Sequence, residues 1–304
     1  MPSHPLSGVY AAAVTPIKST GAIDLAGLPT LLAFLAQRGC HGALILGTTG
    51  EGPSFSPDER SAIWKAAAEW RAKEAPRFQL LAGTGTPSLS ETLALTKTAF
   101  DLGYEGVCVL PPFFFRDATE DGLFDWVSQV IDKSVPEGRW FLGYHIPAVS
   151  GVALSLNLLQ RLNSAFPTRF GGLKDSSGSL DSAQAYAKGL PNRAVLVGSD
   201  KLVGSGLAVG AAGCITAGAN LWSSQLRGIF DAHKRGTPVA SLQGEVSVLR
   251  EKMDAAPSRP AYIKAMLHAH HGFPLWSVRA PLRNLTEEQT RVAIGSLEVL
   301  RSRT

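Results

Sequence analysis

The chain has 304 residues, of which 45% are hydrophobic and 18% charged, with a mean hydropathy of +0.07. That apolar supply supports a large core and excludes a disordered or fibrous chain, while the length alone leaves one or two domains open. Lys plus Arg number 29 against 25 Asp plus Glu, and the +4 excess is scattered without a basic run, so neither nucleic acid nor a membrane surface is expected as a partner.

The first five residues, Met1-Pro2-Ser3-His4-Pro5, lack a basic region followed by an apolar stretch, and no apolar run approaches the length of a membrane span. Cys40, Cys108 and Cys214 are odd in number and far apart, with no Cys-x-x-Cys or Cys/His ligand spacing. Neither a disulfide framework nor a cysteine zinc site is expected, and a reducing, cytoplasmic setting fits.

The 31 glycines and 19 prolines cut the chain into short apolar runs separated by longer amphipathic stretches. The runs at 9–15, 42–47, 78–83, 106–110, 140–146, 170–174, 194–198 and 213–217 read as strands. They are continuous rather than alternating, as in strands buried on both faces. Between them, helical patterns fall at 25–38, 57–73, 88–102, 120–134, 155–165, 180–189, 200–209 and 223–235. The start of the second shows why: Ser56 can cap, Pro57 suits the first helical position, and Asp58 and Glu59 complement the helix dipole.

Eight strands alternating with eight helices predict parallel βαβ units closed into a (β/α)8 TIM barrel. No Gly-x-Gly-x-x-Gly comes after the first strand and no phosphate-binding Gly-x4-Gly-Lys motif occurs. Further helices at 237–254, 258–271 and 286–302 predict a three-helix extension, dividing the chain into a catalytic barrel at 1–235 and a helical extension at 236–304.

Barrel enzymes place their chemistry at the C-terminal ends of the strands. Here those ends carry Gly47-Thr48-Thr49-Gly50-Glu51-Gly52, Gly83-Thr84-Gly85, Tyr144-His145-Ile146-Pro147, Lys174-Asp175-Ser176, Gly198-Ser199-Asp200, and Ile215-Thr216 with Asn220 beyond. Lys174 closes an apolar strand, and burial at a barrel mouth favours the neutral amine, a nucleophile for ketones. An ordinary ion-paired lysine fits the same pattern. Tyr144 closes the neighbouring strand and could pass protons, although a core tyrosine with a satisfied hydroxyl is the commoner case. The Gly47–Gly52 loop offers hydroxyls and backbone N–H groups to a carboxylate or phosphate, and also fits a plain βα turn. His268, His270 and His271 stand at a helix end before Gly272, where capping and surface roles are commoner than metal binding.

Together these elements resemble the dihydrodipicolinate synthase/N-acetylneuraminate lyase superfamily from Val14-Thr15-Pro16 to about Leu285. The resemblance rests on Gly47-Thr48-Thr49-Gly50-Glu51, Tyr144-His145-Ile146-Pro147, Gly172-Leu173-Lys174-Asp175 and Gly210-Ala211-Ala212-Gly213-Cys214-Ile215-Thr216, in that order and each at a strand end. It implies that Lys174 forms a Schiff base with pyruvate or another 2-oxo acid and that Tyr144 moves protons. It also implies that Thr48 and Thr49 hold the carboxylate and that Ile215 closes the site through its backbone. Gly47 and Gly198 complete the substrate-facing set, with His145, Ser176, Asp200 and Thr216 as candidates for distal hydroxyls. No cofactor and no metal are implied, because the lysine itself supplies the electron sink. A homotetramer built as a dimer of dimers is implied as well.

Three positions depart from the synthases. Their motif around the catalytic tyrosine is Tyr-Asn-x-Pro-x-Arg-Thr-Gly, and Val149 stands where the arginine would bind the aldehyde's carboxylate. Phe114 replaces a relay tyrosine, and Asp175 replaces the usual Glu. The expected activity is therefore aldol cleavage or condensation of a 2-oxo acid of the 2-keto-3-deoxy sugar acid, sialic acid or 4-hydroxy-2-oxoglutarate type. The alternatives are a dihydrodipicolinate synthase joining pyruvate to aspartate semialdehyde, a sugar-acid dehydratase or deaminase, and a non-catalytic 2-oxo acid binding protein.

Overall fold

The computed structural model describes residues 4–301, with side chains to residue 295. Met1, Pro2 and Ser3, on which the expected absence of a leader partly rests, lie outside the described residues, as does the final residue of the helix expected at 286–302. Eight parallel strands close on themselves in sequence order: β1 (Gly8–Ala12), β2 (Gly42–Ile45), β3 (Gln79–Gly83), β4 (Gly106–Val109), β5 (Trp140–His145), β6 (Phe170–Asp175), β7 (Ala194–Val197) and β8 (Gly213–Thr216). The closing pair sets Tyr10 of β1 against Ile215 of β8. Every residue of β1, β2, β4 and β7 is buried, which is why these strands read as unbroken apolar runs.

Strand alternation sorts these residues into two cores. Tyr10, Ala12, Leu44, Leu81, Cys108, Leu142, Tyr144, Leu196 and Ile215 fill the barrel interior. Their neighbours Val9, Ala11, Ala43, Ile45, Leu80, Val107, Leu173, Val197 and Cys214 point outward against the helices. Each fully buried aliphatic side chain contributes about 1.5–3 kcal/mol relative to exposure.

Around the strands lie α1 (Gly27–Gln37), α2 (Pro57–Glu74), α3 (Leu89–Asp101), α4 (Glu120–Ser134), α5 (Pro147–Ser150), α6 (Leu156–Ala165), α7 (Leu180–Gly189), α8 (Val203–Ala208) and α9 (Ala219–Lys234). Ser56 and Glu59 form a reciprocal capping box at the start of α2. Ser88, Thr119, Ser155 and Ser179 cap α3, α4, α6 and α7 with single hydroxyls. After the barrel come α10 (Ala240–Asp254), α11 (Arg259–His271) and α12 (Glu287–Arg301).

The molecule is thus a (β/α)8 barrel with helices after it; the short α5 has no counterpart in the sequence expectation, β2 ends at Ile45 rather than at 47, and three further elements differ. The strand expected at 9–15 ends at Ala12, because Val14 N leaves the ladder and donates to the Asn220 side chain. The helix expected at 200–209 is a single 3-10 turn, Asp200–Leu202, and then the short α8, in which Gly204 and Gly206 weaken a longer helix. The helix expected at 223–235 begins earlier, at Ala219, and kinks at Trp222.

Candidate active site

Tyr144 and Lys174 are direct register partners on β5 and β6. Both point into the barrel and both are buried. Lys174 Nζ donates to Tyr144 Oη over 3.1 Å and lies 4.2 Å from the centre of the tyrosine ring. Tyr144 Oη in turn pairs with Thr48 Oγ1 at 3.2 Å. The result is a three-member chain, amine to phenol to alcohol, that opens at the strand C-termini through the exposed Thr48. Thr48, Tyr144, Cys108 and Leu110 share one small cavity with Gly83 and Gly85. Burial pushes the Cys108 thiol up to about 12 against the opposing charge of Lys174. It is therefore an inert wall rather than a second nucleophile.

The loop after β2 has an unusual backbone. Leu46 and Glu51 both adopt the left-handed conformation, with φ of 59° each, so two non-glycine residues bracket Gly47–Gly50 under local strain. Leu46 O is crowded from two sides: a Cβ added at Gly52 would lie 2.1 Å from it and one added at Gly83 2.4 Å. Glycine is required at both positions by close approach. Glu51 N and Gly52 N donate back to Thr48 O and Gly47 O, and Thr15 Oγ1 donates to Gly50 O over 2.6 Å. The amides of Thr48 and Thr49 donate to no protein acceptor among the described residues.

The remaining sequence-selected residues divide. Gly47 lies buried in the loop and Thr49 is half-buried beside Thr48. Ile215 is fully buried and points into the barrel interior. Ser176 and Gly198 meet at the ends of β6 and β7, where a methyl on Gly198 would sit 2.0 Å from Ser176 Oγ.

Three candidates for distal hydroxyls point elsewhere. His145 comes directly after Tyr144, so alternation turns it outward. Its Nδ1 accepts from Leu154 N over 3.0 Å, its ring packs edge-on against Tyr186, and burial lowers its pKa against the opposing charge of Asp175. Thr216 comes directly after Ile215, pairs with the outward-facing Ala11, and is fully buried. Asp200 is fully buried, paired with Arg250 Nη1 at 2.6 Å and accepting from Trp222 Nε1 over 3.2 Å.

The extension supplies contacts that strand-end reasoning passes over. Lys264 of α11 pairs with Glu51 Oε1 at 2.6 Å, with both side chains at 0% exposure. It also donates to Ser277 O over 2.6 Å, while Arg279 N donates to the other Glu51 oxygen over 2.8 Å. The Arg279 guanidinium forks onto Glu59 at 2.6 and 2.9 Å. One sequence signal was present: Lys264 interrupts the apolar run Ala261–Leu267, all of it buried. His268 Nδ1 lies 2.7 Å from Phe273 O at the end of α11, and no metal-binding cluster occurs among the described residues.

Residues 5–297 match the model of the dihydrodipicolinate synthetase family. An uncharacterized DapA-like lyase of Chloroflexus aurantiacus is 36% identical over 292 residues, covering 96% of each chain. A 4-hydroxy-tetrahydrodipicolinate synthase of Streptomyces coelicolor is 34% identical, covering 95% of this chain and 92% of its own. In fold, the chain superposes on a sialic acid aldolase of Ruminococcus gnavus with a TM-score of 0.90 at 22% identity, covering 98% and 96% of the two chains. With the match spanning the barrel and the helices beyond it, the chain belongs to the dihydrodipicolinate synthase family of class I, pyruvate-dependent lyases.

Proposed function

We propose that the protein is a Schiff-base aldolase that cleaves or forms a short 2-oxo acid with pyruvate as one half. The observation that carries this reading is the Lys174–Tyr144–Thr48 chain, with spacings of 3.1 and 3.2 Å. A buried amine within hydrogen-bond reach of a phenol has both groups that imine formation requires, a nucleophile and a proton carrier.

In cleavage, the Lys174 amine adds to the 2-oxo carbon and water leaves, giving an iminium. The C3–C4 bond then breaks and its electrons move into the iminium, forming the pyruvate enamine. The 4-hydroxyl proton departs through the Tyr144 oxygen as the aldehyde is released. Protonation of the enamine at C3 and addition of water return pyruvate and the free lysine. Thr48, Thr49 and their amides hold the carboxylate at the mouth, and Gly47 and Ile215 shape the wall. Ser176, beside Gly198, is the hydroxyl best placed to meet the distal half.

The acceptor is short rather than polyhydroxylated, because His145 and Asp200 are engaged with Leu154 N and with Arg250 and Trp222, and Thr216 follows the inward-facing Ile215 and so turns outward. This favours a substrate with a short acceptor half over sialic acid. The second reading is a synthase acting on aspartate semialdehyde, which the similarity to the Streptomyces protein supports. Val149 opposes it, since an exposed aliphatic side chain cannot fork onto a carboxylate.

No helix among the described residues is long and apolar enough to cross a membrane. All three cysteines are free and buried, which supports a reducing, cytoplasmic setting. The exposed pair Phe114 and Phe115 supports assembly with further copies as a tetramer, measurable by light scattering.

The central test is borohydride reduction in the presence of pyruvate, with peptide mass mapping of the product. A pyruvate-derived mass gain on Lys174 is expected, and a folded protein without it overturns the proposal. A panel of 4-hydroxy-2-oxoglutarate, 2-keto-3-deoxy acids and sialic acid, scored for pyruvate release, then ranks the substrates. Rapid condensation with aspartate semialdehyde would reverse the ranking of the two readings.

A further inference from the structure

We infer that the helical extension sets the carboxylate-binding loop, through Glu51 and Lys264 acting as positioning residues. The inference rests on the proposed role of Thr48 and Thr49, and it concerns residues that touch no reacting atom.

Three observations converge on it. First, Leu46 and Glu51 hold the left-handed conformation at both ends of the loop. Such backbone persists only where its surroundings over-determine it. Second, the over-determining contacts come from Glu51 itself. One of its oxygens meets Lys264 Nζ at 2.6 Å and the other accepts from Arg279 N over 2.8 Å. Both oxygens are thus tied to chain beyond the barrel, more than 200 residues away in sequence. Third, the pair is sealed from water, with both side chains at 0% exposure, while Lys264 keeps a second acceptor in Ser277 O. A sealed pair held by these further hydrogen bonds fixes a loop more tightly than an exposed pair of the same length. Thr48 and Thr49 lie just before Glu51 in the same loop, so a shift at Glu51 carries directly into the carboxylate site.

Restoring stability separates a merely structural pair from a positioning pair. Glu51→Gln keeps the side-chain shape but gives one amide and one carbonyl where two acceptors are needed, so either Arg279 N or Lys264 loses its partner. The half-saturating pyruvate concentration for borohydride trapping is expected to rise about 10- to 100-fold, with the trapping rate at saturation unchanged within about threefold. The double variant Glu51→Leu with Lys264→Met removes both charges together, which usually recovers stability. Its melting temperature is expected to return towards the parent value while pyruvate half-saturation stays high.

Arg71→Met is the control. It breaks the Arg71–Glu105 pair at the opposite end of the barrel, before β4, and is expected to lower the melting temperature without moving half-saturation. Recovery of pyruvate affinity together with stability in the double variant, or an unmoved half-saturation in Glu51→Gln, overturns the inference while the Schiff-base reading stands. A parent protein that traps no pyruvate overturns both.

Discussion

Removing the guanidinium from Arg250 tests whether Asp200 serves the fold or the substrate. Asp200 is completely buried and Arg250 is 7% exposed. Their oxygen and nitrogen lie 2.6 Å apart. Besides Arg250, Asp200 has one side-chain donor among the described residues, Trp222 Nε1 at 3.2 Å. In Arg250→Met the carboxylate stays buried with a single hydrogen bond and no countercharge, and orphaning one partner of a buried pair costs about 3–5 kcal/mol. Unfolding entropy near the midpoint is about 2.1 cal/mol/K per residue, or about 0.64 kcal/mol/K for a chain of this length. The quotient is a fall of about 5–8 °C in melting temperature. Asp200→Asn, which keeps an acceptor for the indole, should lose less. Thermal unfolding by circular dichroism at pH 7 reads both variants, with pyruvate trapping measured alongside and expected to stay within about twofold. A shift below about 2 °C in Arg250→Met, or a collapse of aldehyde turnover in Asp200→Asn at unchanged stability, would refute the reasoning and return Asp200 to the substrate.

Two further predictions address the chemistry and the pH response. Tyr144→Phe deletes the hydroxyl that accepts from Lys174 and pairs with Thr48 but keeps the ring under the amine. Deuterium exchange into the pyruvate methyl should slow by about 10²- to 10⁴-fold, and retention within tenfold would remove Tyr144 from the proton path. Burial lowers His4 and His41 to about 4 and also lowers His145. With folded values below the ordinary 6.5, the unfolded chain takes up these protons first. Stability is full above about pH 6.5 and falls as the pH drops towards 4. The slope is at most about 1.4 kcal/mol per pH unit for each histidine, and less for rings that keep contact with solvent. Glu59, lowered to about 2 chiefly by its hydrogen bond from Arg279, adds its own loss only below its ordinary value of 4.5. A melting temperature that is flat between pH 6.5 and 5 would contradict the histidine assignment.

The barrel was legible because its strands are short continuous apolar runs, and a run buried on both faces leaves few other architectures. The position of Lys174 and Tyr144 at the ends of two such runs was legible for the same reason, while the roles expected of them came from the family resemblance. What the runs also contain, and what strand-end reasoning overlooked, is their period of two. If Tyr144 faces inward, His145 must face outward, and the same step separates Ile215 from Thr216. Two consecutive strand residues cannot both serve a site inside the barrel, so the placement of His145 and Thr216 is dictated by the assignment of their neighbours.

Asp200 is a different case. It lies beyond the end of β7, where alternation no longer applies, and its orientation is decided by Arg250, 50 positions along the chain. Glu51 depends on Lys264 across a separation of 213. No local pattern encodes such partners. The only local trace is the anomaly on the far side, a lysine placed inside an apolar helical run. A buried lysine must find an acceptor, and here Lys264 finds the carboxylate that ends the Gly47–Glu51 loop. The extension therefore reaches the loop after β2 through Lys264 and Arg279, and a charge in an apolar stretch is the sign by which such long-range partners can be sought.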